Sequence, residues 1–339
     1  MKKISVIIPC YNVEQYIDKC YHSLVNQTIG IANLELIFVN DASTDETYNH
    51  LLKYEKAYPN SVTVINCETN GRQGTARNIA LQYATCDYIA YIDADDWIDP
   101  QMLEILYDKA IKYSCDITGC GIDRVVFKNA PQNTDEDGAF FDLTIYTNIE
   151  KLFTEEYDMH IVNKLYKKSL ITDNLIMFPE QLAYEDIYWE YLIMLYAKRF
   201  YLHNKSMYHY FFNEQSTCSI NESPIHLDRI LTLELFFDET IKRGLYTKYK
   251  EIIDYKFVEL YFISNLKLFF TKYNTIPVSI IKHLQEGLIK RVPDYVNSYT
   301  KYRYFDELLK LANIPLTQEL VNKVQDDYIK QLVNILSKQ

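Results

Sequence analysis

The chain contains no run approaching the ~20 apolar residues that a membrane span requires, no C-x-x-C pair, no internal repeat and no excess of positive charge. Each absence removes a class of protein. With 35 basic against 46 acidic side chains the formal charge is -11. Nucleic acid and anionic lipid surfaces are both met first through positive charge, so no nucleic acid is expected as a partner, and an anionic substrate would need a local device. Cysteines number seven, at Cys10, Cys20, Cys67, Cys86, Cys115, Cys120 and Cys218. The odd count and the lack of zinc or redox spacing point to a reducing compartment. The opening MKKISVIIPCYN has two lysines and a short apolar run, but it lacks a small-residue cleavage site and meets proline at once. It is expected to be a first strand and not a signal peptide. A cytoplasmic location follows as an expectation, with any membrane-bound substrate visited peripherally at the inner face of the plasma membrane.

What is present is a globular composition, 48% hydrophobic over 339 residues, enough for one large domain or two ordinary ones. Residues 3 to 9 read as a buried strand. From 14 to 27, Tyr16, Ile17, Cys20, Leu24 and Val25 recur at helical spacing. LELIFVN (34 to 40) is a second strand, and the serine, threonine and aspartate after it sit where a helix start is capped. SVTVINC (61 to 67), GTARNIALQYAT (74 to 85) and DYIAYID (87 to 93) continue as strand, helix, strand. This alternation implies right-handed crossovers and a mostly parallel α/β sheet covered on both faces.

Beyond it a helix is expected from Pro100 to Tyr113. ITGCGIDRVVF and AFFDLTIY are expected to pair as a long hairpin around the polar turn 128 to 138. EDIYWEYLIMLYAKRF reads as a helix and KSMYHYFF (205 to 212) as one more strand. A polar loop then leads into an almost wholly helical tail, in which Val324, Tyr328, Leu332 and Leu336 mark one helix face. The domain boundary is expected near 222, giving domains 1–221 and 222–339. Leu231, Leu233, Leu235, Phe236 and Phe237, with Phe257, Leu260, Phe262, Leu266 and Phe269, supply more apolar surface than one stripe needs. A helical bundle packed on the first domain accounts for it, or else a face for a second copy, making a homo-oligomer, or for a membrane-associated partner.

In an open parallel sheet the ligand lies beyond the carboxyl ends of the strands. Every early strand here ends in polar groups: Pro9, Tyr11 and Asn12; Asn40, Asp41 and Ser43; Asn70, Arg72 and Arg77; Asp93, Asp95 and Asp96. One such residue alone is most simply a cap or turn former; four strand ends together are a site. Carboxylates as close as those of D-A-D-D repel, and desolvation worsens the repulsion, so the cluster suits a divalent cation, Mn2+ or Mg2+, that in turn holds a diphosphate. The plain alternative is a solvated acidic turn with Asp99 capping the helix at Pro100.

SVIIPCYN, ELIFVNDASTD, GRQGTARNIAL and IAYIDADDWIDP, in this order and spacing, resemble the family-two glycosyltransferases of the GT-A fold, the type that builds bacterial cell-surface polysaccharide. NKLYKKSL and AYEDIYWEYLI resemble further blocks of that family, extending the likeness to about 220. The resemblance implies a GT-A domain followed by a mainly α-helical one. Pro9, Tyr11, Asn12 and Asp41 would cradle the uracil and ribose of a UDP-sugar, and Asn70, Arg72 and Arg77 would close over base and diphosphate. Asp93 and Asp95 match the family's D-x-D metal positions, with Asp93 also touching the nucleotide. Asp186, with Glu185 as fallback, matches the catalytic base, two acids that also suit a helix start. The implied reaction is inverting transfer to a hydroxyl of a glycan or lipid-linked acceptor. Relatives often carry an arginine after the last strand where this chain reads YFFNEQSTCS, leaving Asn213, Ser216 or His209 to serve there. Two other readings are a phosphatase of the haloacid-dehalogenase type, whose nucleophile motif is also D-x-D, and a non-catalytic nucleotide-sugar-binding or assembly subunit.

Overall fold

The structure, a computed structural model, describes residues 2–123, 134–135, 138–155, 160–211, 219–304 and 306–336. The chain divides into two compact units, Met1–Phe212 and Asn213–Gln339, against the boundary near 222 expected from the polar loop. Most of the anticipated turn at 128–138, together with Asn213, Ser216 and Cys218, lies outside the described residues.

The first unit begins with β1 (Ile4–Cys10), α1 (Ile17–Val25), β2 (Leu34–Asn40), α2 (Thr47–Ala57), β3 (Val62–Asn66), α3 (Arg72–Tyr83) and β4 (Tyr88–Tyr91). These match the expected elements to within a few residues. β1 and β2 are buried almost throughout, as strands covered on both faces must be. They pair in parallel with each other, and β3 and β4 flank them in parallel. All four strands therefore end on the same side.

Then follow β5 (Trp97–Ile98), α4 (Met102–Tyr113), β6 (Ile117–Ile122), β7 (Thr134–Asp135), β8 (Gly138–Asp142), α5 (Tyr146–Thr154), β9 (Lys164–Lys167), α6 (Lys168–Thr172), α7 (Glu185–Tyr196) and β10 (Arg199–His209). The sheet order is β3-β2-β1-β4-β9-β6-β10-β8-β7, with β5 on β10. The expected hairpin does not form. β6 and β8 are separated by β10, which pairs in parallel with β6 and antiparallel with β8, so that Phe200 lies between Ile117 and Phe141. Alternation shows that two strands exist; it does not show that a third, from later in the chain, fits between them. β10 also begins earlier than expected, at Arg199, because α7 stops at Tyr196. α4 starts at Met102, not Pro100, and Asp99 does not cap it by side chain. Gln27 does that work: its carbonyl oxygen accepts the Leu103 amide at 3.0 Å, while its amide donates to the Asp99 carbonyl at 2.8 Å.

The second unit is helical: α8 (Asp228–Lys242), α9 (Leu245–Phe257), a π-helical stretch (Val258–Ser264), α10 (Asn265–Lys272), α11 (Val278–Arg291), α12 (Tyr295–Thr300) and α13 (Gln318–Leu336). Leu233, Phe236, Phe237, Phe257, Phe262, Leu266 and Phe269 are buried, each contributing roughly 1.5–3 kcal/mol of transfer free energy. Leu231 and Leu235, four residues apart on α8, are not; they are 47% and 46% exposed. Most of the surplus apolar surface is thus consumed by the bundle. No helix among the described residues is long and apolar enough to cross a membrane.

Candidate active site

The four parallel strands deliver their polar ends to one edge. Pro9 is buried near the end of β1, paired in register with Val39. Tyr11 follows, half exposed. Asn12 adopts a left-handed backbone (φ 52°), and its side-chain oxygen accepts the Thr44 amide at 2.8 Å while its own amide donates to Ser43 Oγ at 3.1 Å. Ala42 (φ 58°) and Arg72 (φ 66°) are left-handed too. A positive φ in a side-chain-bearing residue costs energy, and it recurs here at three strand ends.

Asp41 is buried, and its carboxylate accepts the Gly71 amide at 2.8 Å. Burial raises its pKa, against the opposing pull of the Gly71 and Arg72 amides. Asn70 donates to the Asp41 carbonyl at 3.2 Å and accepts the Arg72 amide at 3.1 Å. Arg72 itself is exposed. One short segment therefore ties the end of β2 to the start of α3.

One turn further along α3, Arg77 is only 2% exposed yet carries a full charge among acids. Its Nη2 donates to Asp93 Oδ1 at 2.8 Å and its Nη1 to Glu185 Oε1. Burial disfavours the guanidinium, but Asp93 and Glu185 more than offset that. Arg77 thus joins the D-A-D-D loop to the first turn of α7. Both its terminal nitrogens are engaged by carboxylates, so it acts here as a bridge between the two acidic groups. Glu185 is buried; burial raises its pKa, Arg77 opposes the shift and neighbouring Asp186 adds to it. Asp186 is more open and forms no ion pair among the described residues.

The three aspartates of the loop do different things. Asp93 is a quarter exposed by side chain and bound to Arg77. Asp95 is half-buried, and burial, then repulsion from Asp93, pushes its carboxyl up to about 6. Asp96 is buried: it accepts the Tyr208 hydroxyl and the Phe211 amide, the latter at 2.7 Å, while burial and Asp93 raise its pKa. Tyr208 in turn accepts the Asp93 amide at 3.3 Å. Asp96 is therefore an anchor to the end of β10, whereas Asp93 and Asp95 both keep part of their surface exposed. Among the described residues no group of three His, Cys, Asp or Glu side chains is arranged to hold a metal. Two carboxylates are the number that a magnesium- or manganese-type ion usually takes from a protein, its other ligands coming from phosphate and water.

His209 lies beside this loop. Its two ring nitrogens meet Asp99, at 2.7 Å, and Asp123, and the ring stacks on Trp97 with centroids 5.4 Å apart. Those two bonds raise its pKa although burial works the other way.

Several contributors escaped the sequence reading. Tyr208 in the last strand and the Phe211 amide just beyond it lie 112 and 115 residues from the aspartate they hold. Gly74 and Asn78 stand in a block that was singled out, and with Arg77 they share one face of α3 at i, i+3, i+4 spacing, a signal that was available. A Cβ on Gly74 would sit 2.6 Å from the Pro179 carbonyl oxygen and 2.9 Å from Glu185 Cγ. The absence of a side chain there is what lets α3 approach the segment before α7.

Comparison with known proteins supports the same reading. The chain is 34% identical over 193 residues to the poly(ribitol-phosphate) beta-glucosyltransferase of Bacillus spizizenii, covering 54% of this chain and 28% of that protein. It is 30% identical over 225 residues to the uncharacterized glycosyltransferase YibD of Escherichia coli, covering 65% and 64%. The match thus spans less than two thirds of either relative. Among solved structures, S. aureus TarS 1-349 in complex with UDP superposes with a TM-score of 0.71 at 24% identity, over 97% of this chain and 91% of that one. This likeness shows the GT-A-like α/β fold with its helical C-terminal part. The model described as Glycosyl transferase family 2 matches residues 5–174, half of the chain, and with the strand-end acids in place the chain belongs to that family.

Proposed function

We propose that the protein transfers a sugar from a nucleotide-sugar, a UDP-sugar, to a hydroxyl of a glycan or lipid-linked acceptor in cell-surface polysaccharide synthesis, with inversion at the anomeric carbon. The observation that carries this reading is the Arg77 bridge. It ties Asp93, two residues before Asp95, to Glu185, the neighbour of Asp186, at the carboxyl edge of the sheet, where such sheets bind nucleotides. The named relatives, glycosyltransferases in both cases, are consistent with it.

Asp186 is the proposed base. Glu185 is committed to Arg77 and buried, whereas Asp186 is open to an acceptor hydroxyl and free to take its proton. Pro9, Tyr11, Asn12 and Asp41 line the nucleoside side, and the Gly71 amide holds Asp41 in place. Asn70 and Arg72 close the diphosphate side, with Arg72 exposed and able to reach it. Asp93 and Asp95 would hold Mn2+ or Mg2+, which when bound offsets charge on the departing diphosphate. A cytoplasmic enzyme visiting its acceptor peripherally completes the proposal.

The test is a panel of nucleotide-sugars screened for hydrolysis with manganese, with magnesium and with chelator. Turnover of a UDP-sugar is expected. Tight UDP binding with no nucleotide-sugar consumed would favour the non-catalytic subunit instead, and phosphate release from simple esters would favour the phosphatase.

A further inference from the structure

Asn78 is 4% exposed and sits one helical turn beyond Gly74 on α3. Its carboxamide makes two bonds to a single residue 100 positions away. Nδ2 donates to the Phe178 carbonyl at 2.9 Å, and Oδ1 accepts the Phe178 amide at 2.9 Å. A carboxamide carries both a donor and an acceptor, so it can satisfy both polar atoms of one buried peptide residue; a carboxylate or an apolar isostere cannot. The Phe178 ring is fixed as well, stacked on Trp189 with centroids 4.8 Å apart and edge-on to Tyr91.

Seven residues later the same segment returns to α3. Glu185 binds Arg77, and its Cγ lies against Gly74. Between these two legs the backbone takes left-handed turns at Gln181 (φ 58°) and Tyr184 (φ 61°). The loop 178–185 is therefore closed at its base by three neighbours on one helix face: Asn78 holds the incoming leg, Arg77 the outgoing one, and Gly74 lies against both. Asn78 touches none of the acids implicated in the chemistry, yet it sets where the chain that carries them starts.

We propose that Asn78 is a positioning residue for the acid pair: its two-point hold on Phe178 fixes the loop whose far end presents Glu185 to Arg77 and Asp186 to the acceptor. This inference rests on the transferase reading for its kinetic consequence and on the structure alone for its mechanical one. Displacement of a reacting group by about 1 Å costs on the order of 100-fold in rate, and a hold on the base segment does not touch the nucleotide side.

The experiment compares wild type with Asn78→Leu, which removes both bonds at similar volume, and Asn78→Asp, which keeps an acceptor for the Phe178 amide. Expected for Asn78→Leu is a kcat about 10- to 100-fold lower, with the donor KM and UDP affinity within about twofold of wild type; Asn78→Asp should fall between. Hydrogen–deuterium exchange on the full chain should rise in peptides covering 176–187 and stay unchanged in those covering β1 and β2. Parallel loss of UDP affinity and kcat, or exchange in 176–187 equal to wild type, would overturn the proposal. If wild type turns over no nucleotide-sugar at all, the transferase reading fails while the exchange measurement still decides the hold.

Discussion

The two units treat charge differently. At the carboxyl edge of the first, charged groups are buried and joined across long stretches of sequence: Arg77 to Glu185, Asp96 to Tyr208, and Lys164 to Glu190, which also accepts the Tyr166 hydroxyl at 2.6 Å. In the second unit long-range pairs such as Arg291–Asp238 stand beside local ones such as Lys242–Glu239, Arg243–Glu239 and Lys310–Glu307, spaced three or four residues along the chain. Local pairs tune a helix by a few tenths of a kcal/mol. Buried pairs are costly to assemble and costlier to break, because each partner left behind is a buried charge. The contrast is one of degree: the bundle buries Asp254, Lys256 and Arg229 within its aromatic and aliphatic packing, whereas the first unit gathers its buried charges at one edge of the sheet.

Four measurements would break or sharpen that contrast. The largest effect is expected from Asp186→Asn, which should lower kcat by about 10²- to 10⁴-fold, the usual yield of a general base, and leave UDP affinity nearly intact. If Glu185→Gln is the dead variant and Asp186→Asn is not, the buried member of the pair is the base. Next comes Arg77→Met, which strands Glu185 and Asp93 and should cost about 3–5 kcal/mol in urea unfolding. Lys310→Met, which removes an exposed pair with Glu307 in the second unit, should cost less than about 1 kcal/mol. Equal losses would erase the distinction between the units.

A smaller effect concerns the cation. UDP should bind wild type about tenfold more tightly with manganese or magnesium than with chelator, and Asp95→Asn should lose most of that difference in calorimetry. The smallest involves His209. Its bonds to Asp99 and Asp123 raise its pKa, so the stability it contributes is complete below the ordinary value near 6.5 and fades as pH rises through the raised one. Tm of wild type relative to His209→Gln should therefore be higher by about 1–3 °C at pH 6 and converge toward pH 9. A gap that widens with pH would mean the histidine is held neutral.

Much of this was legible in the sequence for a physical reason. Strand interiors buried on both faces must be apolar, and their ends must be polar where a ligand docks, so β1 to β4 and Asp41, Asp93 and Asp95 announce themselves in contiguous blocks. The partners of those residues do not. Tyr208 reads as one tyrosine among 31, and only the path of β10 brings it to Asp96. Phe178 ends a short apolar run, LIMF, before a proline, and nothing local says that Asn78 holds it. The false hairpin has the same origin: pairing across β10 is a property of topology, and periodicity reports only on neighbours. The division of labour between Asp186 and Glu185 became arguable once Arg77 was seen to occupy one of them.

The late position of β10 also has a consequence in time. Asp96 is tied down by residues 112 and 115 positions further along, so on a ribosome adding roughly 5–20 residues per second the acid loop waits about 6–23 seconds for its anchor to be made. Through that interval β1 to β4 can pair among themselves, while Asp93, Asp95 and Asp96 stay hydrated and fully charged. Their desolvation arrives last, with the strand that closes over them. The nascent chain thus carries a nearly complete sheet before it carries a site.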